Sequence, residues 1–233
     1  MTLRVEVVPD PGAAAAAHIV GVLRAAVAAR GRATLALSGG GTPLPMFVDL
    51  ARATAPWGDV DVLQVDERVA PSGSADRNLT AIQAALGPPL PTRLHALPVS
   101  DVDLEAAAAR ASAELVALAG DPPVLDVVHL GVGDDGHTAS LPPGHALAEA
   151  DGPEVPAIAV VRSFRGHDRL TLTLPVLVRA RVVVWLVAGA DKAHVVAGLR
   201  VGDPSTPAGR VAALRAAAGD PADLLVCDPA AAA

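Results

Sequence analysis

Aromatic side chains are scarce in this sequence: they make up 2% of its 233 residues, and there is no tyrosine. A hydrophobic content of 52% must therefore come mostly from valine, leucine, isoleucine and alanine. So few rings leave little means of stacking nucleic-acid bases. A formal net charge of −7 also argues against general binding of nucleic acid or of a membrane surface. We therefore expect neither nucleic acid nor membrane as a partner.

Cysteine is also scarce. Cys227 is the single cysteine, so no disulfide can form within the chain. This is usual in the reducing cytoplasm. The N-terminal sequence MTLRVEVVPD has no secretory hydrophobic stretch. We also expect no uninterrupted apolar segment long enough to span a bilayer. The sequence thus favours a cytoplasmic protein.

Apolar segments alternate with helical patterns along the chain. We predict strands at residues 3–8, 33–37, 60–65, 124–130, 155–161, 170–174, 182–187 and 224–227, and helices at 11–30, 43–53, 78–86, 101–118, 189–199 and 209–218. Such alternation indicates an α/β fold with a mostly parallel sheet and helices on both faces. The LTLTL strand at 170–174 alternates apolar and polar residues, which predicts partial exposure. A short Pro-rich stretch at 87–91 is the only candidate linker, so we predict a single domain over residues 1–233.

One apolar strand ends in a turn that concentrates polar groups. Residues 124–130 are followed by GVGDDGH at 131–137. Glycine lets the backbone adopt positive φ and approach a ligand closely, and α/β sheets bind ligands where their strands end. His137 would then lie at the mouth of a crevice, with the Asp135 carboxylate two residues away. A tight turn with an incidental histidine is the alternative.

The same turn matches the G-x-G-x-x-G fingerprint of dinucleotide-binding proteins. Two features count against a nicotinamide cofactor. The acidic pair Asp134 and Asp135 disfavours a phosphate at this turn. Pro142 and Pro143 also interrupt the long helix that normally follows the fingerprint. A nicotinamide-binding protein is kept as an alternative.

A second glycine-rich turn separates a predicted strand from a predicted helix. It comprises Ser38, Gly39, Gly40, Gly41 and Thr42. Consecutive glycines can turn several backbone N–H groups inward, and the helix N-terminus and two hydroxyls add further attraction for an anion. We interpret the turn as a phosphate cradle without a Walker lysine. A plain flexible turn is the alternative.

Charged residues follow other predicted strands. Asp66 and Glu67 are neighbours on an extended segment, so they point to opposite sides and at most one is expected in the crevice. Arg68 either binds an anion or pairs with Glu67. Lys192, near a helix start on the ligand side of the sheet, could reach a phosphate as a point charge, and so could Arg169. Solvated surface charges are the alternative for all of these.

The remaining histidines show no metal-ligand spacing, so no metal is expected. His129 lies within the apolar strand and is interpreted as a satisfied core histidine. Ser140 is not in a G-x-S-x-G elbow, so a serine-hydrolase triad is unsupported.

Six segments, in order, resemble the 6-phosphogluconolactonase family. They are LSGGGTP at 37–43, DERVAP at 66–71, RN at 77–78, LGVGDDGHTASLPPG at 130–144, RLTLTLPVL at 169–177 and GADKA at 189–193. DGHTASL is the most specific of them. The resemblance implies a Rossmann-like fold similar to that of glucosamine-6-phosphate deaminase. It also implies hydrolysis of 6-phospho-D-glucono-1,5-lactone to 6-phospho-D-gluconate, without metal or cofactor, downstream of glucose-6-phosphate dehydrogenase in the oxidative pentose phosphate pathway.

Together, the motifs and the resemblance predict a set of roles. His137 acts as general base, while Asp66 or Asp135 orients its ring or binds sugar hydroxyls. The phosphate lies on the cradle near Lys192 and one or both of Arg68 and Arg169. Asn78 of the RN segment belongs to the substrate-binding set. Backbone N–H groups at 133–137, including that of Gly136, could hold the oxyanion.

Three positions depart from the family pattern. Gly41 stands where the family more often has serine or arginine, Arg77 where it often has serine, and Pro142 where it often has phenylalanine. The rival function is that of glucosamine-6-phosphate deaminase, which resembles DGHIAFNEP and uses a glutamate five residues after the histidine. Pro142 occupies that position here. A non-catalytic sugar-phosphate sensor is a further alternative.

Overall fold

A computed structural model of the protein describes residues 3–87, 93–219 and 223–233. The strands are β1 (Arg4–Val7), β2 (Ala33–Leu37), β3 (Val60–Gln64), β4 (Asp66–Arg68), β5 (Leu94–His95), β6 (Val127–Leu130), β7 (Ile158–Phe164), β8 (His167–Leu172), β9 (Val182–Val187) and β10 (Leu224–Cys227). The helices are α1 (Pro11–Arg30), α2 (Leu44–Arg52), α3 (Asn78–Leu86), α4 (Leu104–Ala119), α5 (Ala146–Glu149), α6 (Leu174–Arg179), α7 (Ala193–Val201) and α8 (Pro207–Ala218).

Within the described residues, seven parallel strands form the central sheet, in the order β1-β10-β9-β6-β2-β3-β5. The chain leaves β2 toward β3 on one side and leaves β6 toward β9 on the other. The strand order therefore reverses between β2 and β6, and ligands of open α/β sheets bind in the crevice at such a point. A second, antiparallel sheet of three strands has the order β4-β8-β7.

The central sheet is covered on both faces because its strands are apolar on both faces. Leu35 and Leu37 pack with α1, α2 and α3 in one core cluster. Ala36 points the other way, into a second cluster formed with α4, α6, α7, α8 and the antiparallel sheet. The mostly parallel sheet with helices on both faces is confirmed. Phe47 and Trp185 are the only aromatic residues among the described buried hydrophobics, so the core is otherwise built from the predicted aliphatic residues with one methionine and Cys227.

Several helix boundaries follow from local chemistry. Asp10 accepts a hydrogen bond from Ala13 N at 3.0 Å and so caps the start of α1. The helix ends at Arg30 and is followed by Gly31 in the left-handed conformation. The helix expected at residues 101–118 begins later than predicted, at Leu104. Asp103 caps that helix, by accepting from Ala106 N at 3.0 Å.

The prediction that the LTLTL strand is partly exposed is also wrong. Leu170, Thr171 and Leu172 are buried, because β8 lies between β4 and β7 and its sheet packs on the core.

The three-residue strand β4 was not predicted. Val65 still bonds to β2, through Leu37 O at 3.0 Å, and Asp66 already pairs with β8. The chain thus changes sheets at the carboxyl end of β3, which places Asp66 beside the crevice.

Helix α1 is long and apolar enough to cross a membrane by length and composition alone, contrary to the sequence-based expectation. It nevertheless packs one face on the sheet, with Ala15, Ile19 and Leu23 fully buried. One face of α1 is therefore part of the core. Most of the candidate linker, residues 88–91, lies outside the described residues. The single domain over residues 1–233 stays a prediction.

Candidate active site

A cavity of about 210 Å³ opens at the carboxyl ends of β2, β6 and β9, where the strand order reverses. All residues predicted for the site line it, with the exception of Asp135 and Gly136. The predicted residues in its wall are Ser38, Gly39, Gly40, Gly41, Thr42, Asp66, Arg68, Asn78, His137, Arg169 and Lys192. Strand ends and loops far apart in sequence therefore converge on one crevice.

The three glycines of the cradle differ in how strictly the structure requires a glycine at each position. A Cβ at Gly39 would lie 2.1 Å from Asn78 Oδ1, so a larger residue there would displace the asparagine. Gly40 has a φ of +105°, which L-residues rarely adopt. A Cβ at Gly41 would meet nothing within 4 Å. The cradle is thus tightly constrained at Gly39 and Gly40 and open at Gly41.

The two adjacent carboxylates point to opposite sides, as predicted. Asp66 faces the cavity. Glu67 is fully buried and accepts hydrogen bonds from Asn78 N at 2.8 Å and Leu79 N at 2.9 Å, at the start of α3. Glu67 therefore anchors that helix and does not line the cavity.

Arg68 does not form the predicted alternative ion pair with Glu67. Arg77 is the arginine beside Glu67, with its Nε 3.8 Å from Glu67 Oε2. Arg68 lines the cavity and donates from NH1 to Asp76 O at 3.1 Å. Its guanidinium therefore adds positive charge to the cavity wall.

Asp66 is held by donors from three other parts of the chain. Ser140 Oγ donates to Oδ2 at 2.5 Å and Asn78 Nδ2 to Oδ1 at 3.2 Å. Arg169 NH1 lies 3.6 Å from Oδ2. Burial raises the pKa of Asp66, while the Ser140 hydrogen bond and the Arg169 charge oppose the rise. Both carboxylate oxygens are thus engaged, and none of their described hydrogen bonds goes to His137.

Asp135 is the carboxylate that orients the imidazole. Its Oδ1 lies 2.5 Å from His137 Nδ1 and also accepts from His137 N at 3.0 Å. The close approach requires Gly133, since a Cβ there would lie 2.0 Å from Nδ1. In a neutral imidazole, a carboxylate that accepts from Nδ1–H leaves Nε2 without a proton.

The protonation of His137 follows from its surroundings. Burial lowers the pKa of His137, and the hydrogen bond from Nδ1–H to Asp135 partly opposes this. The ring is therefore neutral at pH 7, with the lone pair of Nε2 available to accept a proton. This is the state that a general base requires.

Gly136 is required by the backbone conformation of the turn and does not line the cavity. Its φ is +80°, and a Cβ would lie 2.6 Å from Thr206 Cβ at the start of α8. The N–H groups predicted to hold an oxyanion are also largely committed. Gly133 N donates to His137 O at 2.8 Å, Gly136 N to Gly133 O at 3.0 Å, and His137 N to Asp135. The predicted substrate-binding and oxyanion roles of this turn are not supported at these three groups.

His129 was interpreted only as a satisfied core histidine. It is 1% exposed, and burial lowers its pKa to about 3, so the ring is neutral. Its Nδ1 accepts from Ser38 N at 3.3 Å, while Nε2 is buried with no partner among the described residues. It also lines the cavity. His129 therefore lies in the cavity wall and holds the cradle through its hydrogen bond from Ser38 N. The periodicity of the strand could not predict this contact.

Lys192 is the only lysine in the sequence. It lines the cavity, with Nζ 4.0 Å from Asp191 Oδ2. Its carboxylate neighbour is largely exposed, so the ammonium group is only loosely paired. A loosely paired ammonium at the cavity wall is suited to binding an anion.

One group among the described residues has ligand atoms close enough together for a metal ion. It consists of Asp134, Asp135 and His137, with ligand atoms within 4.8 Å of one another. These atoms are already used by the Asp135–His137 hydrogen bond and by an ion pair between Asp134 Oδ1 and Arg165 NH2 at 2.5 Å. The hydrogen bond and ion pair explain the cluster without an ion.

Comparisons with known proteins agree with this geometry. The profile of the glucosamine-6-phosphate isomerases/6-phosphogluconolactonase family matches residues 10–218. A 6-phosphogluconolactonase of Synechocystis sp. is 40% identical over 176 residues, 72% of each chain. One of Mycobacterium tuberculosis is 38% identical over 226 residues, which cover 89% of this chain and 91% of that protein.

Solved structures of related proteins share the fold of this chain. The 6-phosphogluconolactonase of Trypanosoma brucei superposes with a TM-score of 0.82 at 26% identity, covering 99% of this chain and 97% of that one. The fold is also shared with a monomeric glucosamine-6-phosphate deaminase, with a TM-score of 0.79 at 19% identity, over 100% of this chain and 99% of that one. The deaminase likeness concerns the fold alone.

Proposed function

The chain belongs to the glucosamine-6-phosphate isomerase/6-phosphogluconolactonase family, and from this premise we propose how its cavity works. The enzyme hydrolyses 6-phospho-D-glucono-1,5-lactone to 6-phospho-D-gluconate in the oxidative pentose phosphate pathway. One observation carries the assignment of its parts: His137, whose Nδ1 lies 2.5 Å from Asp135 Oδ1, lines the same cavity as the glycine cradle and Lys192. The proposed general base and the proposed anion site thus face the same cavity.

The phosphate end of the substrate has its own binding site in this scheme. It rests on the cradle at 38–42, with Lys192 and Arg68 as the neighbouring cations. Arg169 is already paired with Asp66 at 3.6 Å, so it is better placed to support sugar contacts than to bind phosphate. Binding at this remote end fixes the lactone ring relative to His137.

His137 then activates water. Nε2 removes a proton while the water oxygen forms a bond to the lactone carbonyl carbon, which yields a tetrahedral oxyanion. Asp135 stabilises the imidazolium that forms. When the oxyanion collapses, the bond from carbon to ring oxygen breaks and Nε2 returns its proton to that oxygen. The product is the open-chain carboxylic acid, which ionises, and no step requires a metal or a cofactor.

Asp66 binds sugar hydroxyls in this scheme, since Asp135 already orients the imidazole. Its Oδ1 and Oδ2 are fixed by Asn78 and Ser140 and cannot shift far. A fixed buried carboxylate beside Arg169 is suited to accept from hydroxyl groups of the sugar. Asp66 and Arg169 together would then recognise the ring, while the cradle recognises the phosphate.

The rival function is deamination of glucosamine 6-phosphate, which the shared fold alone would permit. The family resemblance assigns ring opening there to a glutamate five residues after the histidine, and Pro142 stands at that position. Lactone hydrolysis opens an ester and needs no such carboxylate.

The location of the enzyme in the cytoplasm, downstream of glucose-6-phosphate dehydrogenase, is part of this proposal and is supported by the single free cysteine.

The deciding experiment measures loss of freshly generated lactone above its spontaneous hydrolysis, beside ammonia release from glucosamine 6-phosphate. The proposal predicts lactone loss proportional to enzyme concentration and no ammonia. His137→Asn provides the matched control for contaminating lactonase. Ammonia release without accelerated lactone loss would refute the proposal, and tight sugar-phosphate binding with neither reaction would indicate a sensor.

A further inference from the structure

The tip of the β7–β8 hairpin lies against the loop that carries His137, although neither Phe164 nor Arg165 lines the cavity. The hairpin has a register irregularity between Val161 and Phe164. Ser163 and Arg165 have φ values of 51° and 49°, uncommon for residues other than glycine. Such a backbone persists only where its surroundings enforce it.

Asp168 enforces this conformation from the facing strand. Its Oδ1 accepts from Ser163 N at 2.8 Å, and its Oδ2 accepts from Arg162 NH1 at 2.9 Å. The strained turn is therefore held by a specific carboxylate. The side chains at the tip project in a fixed direction as a result.

Arg165 makes the first contact with the loop. Its NH2 lies 2.5 Å from Asp134 Oδ1 and 3.4 Å from Asp135 Oδ2. The other oxygen of Asp135 is the one that holds His137 Nδ1, at 2.5 Å. One carboxylate thus connects the guanidinium to the imidazole, which restricts rotation of Asp135 about its side-chain bonds.

Phe164 makes the second contact. Its ring meets the His137 ring edge-on, with centroids 5.1 Å apart and planes at 86°. Two guanidinium groups also lie over the Phe164 ring, that of Arg165 at 5.8 Å and that of Arg169 at 4.9 Å from its centroid. Arg169 Nε also donates to Phe164 O at 3.1 Å. The phenyl ring is therefore fixed by Arg169 and forms a wall for the imidazole.

We infer that the β7–β8 hairpin tip is a clamp on the catalytic loop, in which Arg165 is a positioning residue for the Asp135–His137 pair and Phe164 is the wall that fixes the imidazole plane. The loop needs such a support because its own sequence, GVGDDGH, is rich in glycine and acidic residues. A displacement of the base by about 1 Å can cost on the order of 10²-fold in rate. The inference deepens the proposed lactone hydrolysis and rests on it for its kinetic part.

The test compares Arg165→Gln with Arg165→Lys and with Arg52→Gln, a control at an exposed arginine at the end of α2. Arg165→Gln should lower kcat by about 10-fold or more with KM nearly unchanged, since the phosphate site is untouched. Arg165→Lys should recover part of kcat, because a lysine keeps the charge but lacks the planar guanidinium that fixes the direction of the donor. Arg52→Gln should match the wild type, and melting temperatures would show that all variants are folded.

A second readout does not depend on activity. The Nδ1 proton of His137, hydrogen-bonded to Asp135, should give a low-field NMR signal in the wild type that broadens or disappears in Arg165→Gln. A folded Arg165→Gln variant with wild-type kcat and an unchanged signal would overturn the clamp. If the signal responds as expected but the wild type has no lactonase activity, the clamp stands and the proposed function fails.

Discussion

Gly39 offers the sharpest structural test of the cradle. A Cβ at this position would lie 2.1 Å from Asn78 Oδ1 and 2.7 Å from Asn78 Cβ, so Gly39→Ala must displace a side chain that is only 5% exposed. Asn78 would then lose its hydrogen bonds to Asp66, from Nδ2 to the backbone oxygen at 2.9 Å and to Oδ1 at 3.2 Å. Two buried hydrogen bonds at about 1 kcal/mol each give about 2 kcal/mol. The cost of overpacking a buried site, roughly 1–3 kcal/mol, has the same size.

Gly41→Ala is the matched comparison, because a Cβ there would meet nothing within 4 Å. Both substitutions restrict the unfolded chain equally, so the difference between them isolates the clash. We expect Gly39→Ala to be less stable than Gly41→Ala by about 2 kcal/mol, or about 4–8 °C in Tm. Urea unfolding would measure the difference in free energy. Equal stability of the two variants would refute the packing argument.

Two further perturbations test the anion site and the stability of the sheet edge. Lys192→Ala should raise KM and weaken competitive inhibition by 6-phosphogluconate more than it lowers kcat, and unchanged values of both would remove Lys192 from the phosphate site. Burial lowers the pKa of His95, but the hydrogen bonds to Asp61 and Glu114 outweigh it and raise the pKa above 6.5. The stabilisation by His95 should therefore be complete below about pH 6.5 and lost as pH rises through the raised pKa. The difference in urea midpoint between wild type and His95→Gln should shrink accordingly, and a difference that grows with pH would contradict this.

The parts of the site that follow strands could be predicted from sequence. The cradle at 38–42 comes after β2 and before α2, and the strand, glycine and helix signals at that point agree. Lys192 follows β9 in the same way. Because parallel strands end at one edge of the sheet, these local signals suffice to bring the groups together.

The roles of the carboxylates could not be predicted, because they depend on partners distant in sequence. Asp66 is engaged by Ser140, which is 74 positions away, and by Arg169 from the antiparallel sheet. This leaves Asp135 to orient His137. No periodicity indicated the three-residue strand β4 that places Asp66. The contacts of the hairpin tip are likewise long-range, and the sequence carried no signal for them.

The departures from the family pattern have structural explanations. The open space at Gly41 can accommodate the serine or arginine that is more frequent there. Arg77 is buried, 3.8 Å from Glu67 and within 3.3 Å of Ser100 Oγ, so it supports α3 outside the cavity wall. Pro142 also lies outside that wall. None of the three removes a group on which the proposed chemistry depends.

The pH dependence of kcat/KM in wild type and His137→Asn tests the central proposal, that His137 is the general base, most directly. Because the pKa of His137 is lowered by burial, wild-type kcat/KM should rise with pH through a limb below the usual histidine value and be level at pH 7. Asparagine keeps the size and polarity of the site, so His137→Asn should bind substrate normally, lose the limb, and turn over about 10²–10⁴-fold more slowly. The spontaneous, hydroxide-accelerated opening of the lactone is subtracted at each pH. Near-wild-type activity of His137→Asn after that correction would contradict the mechanism and leave Asp66 as the leading candidate for the base.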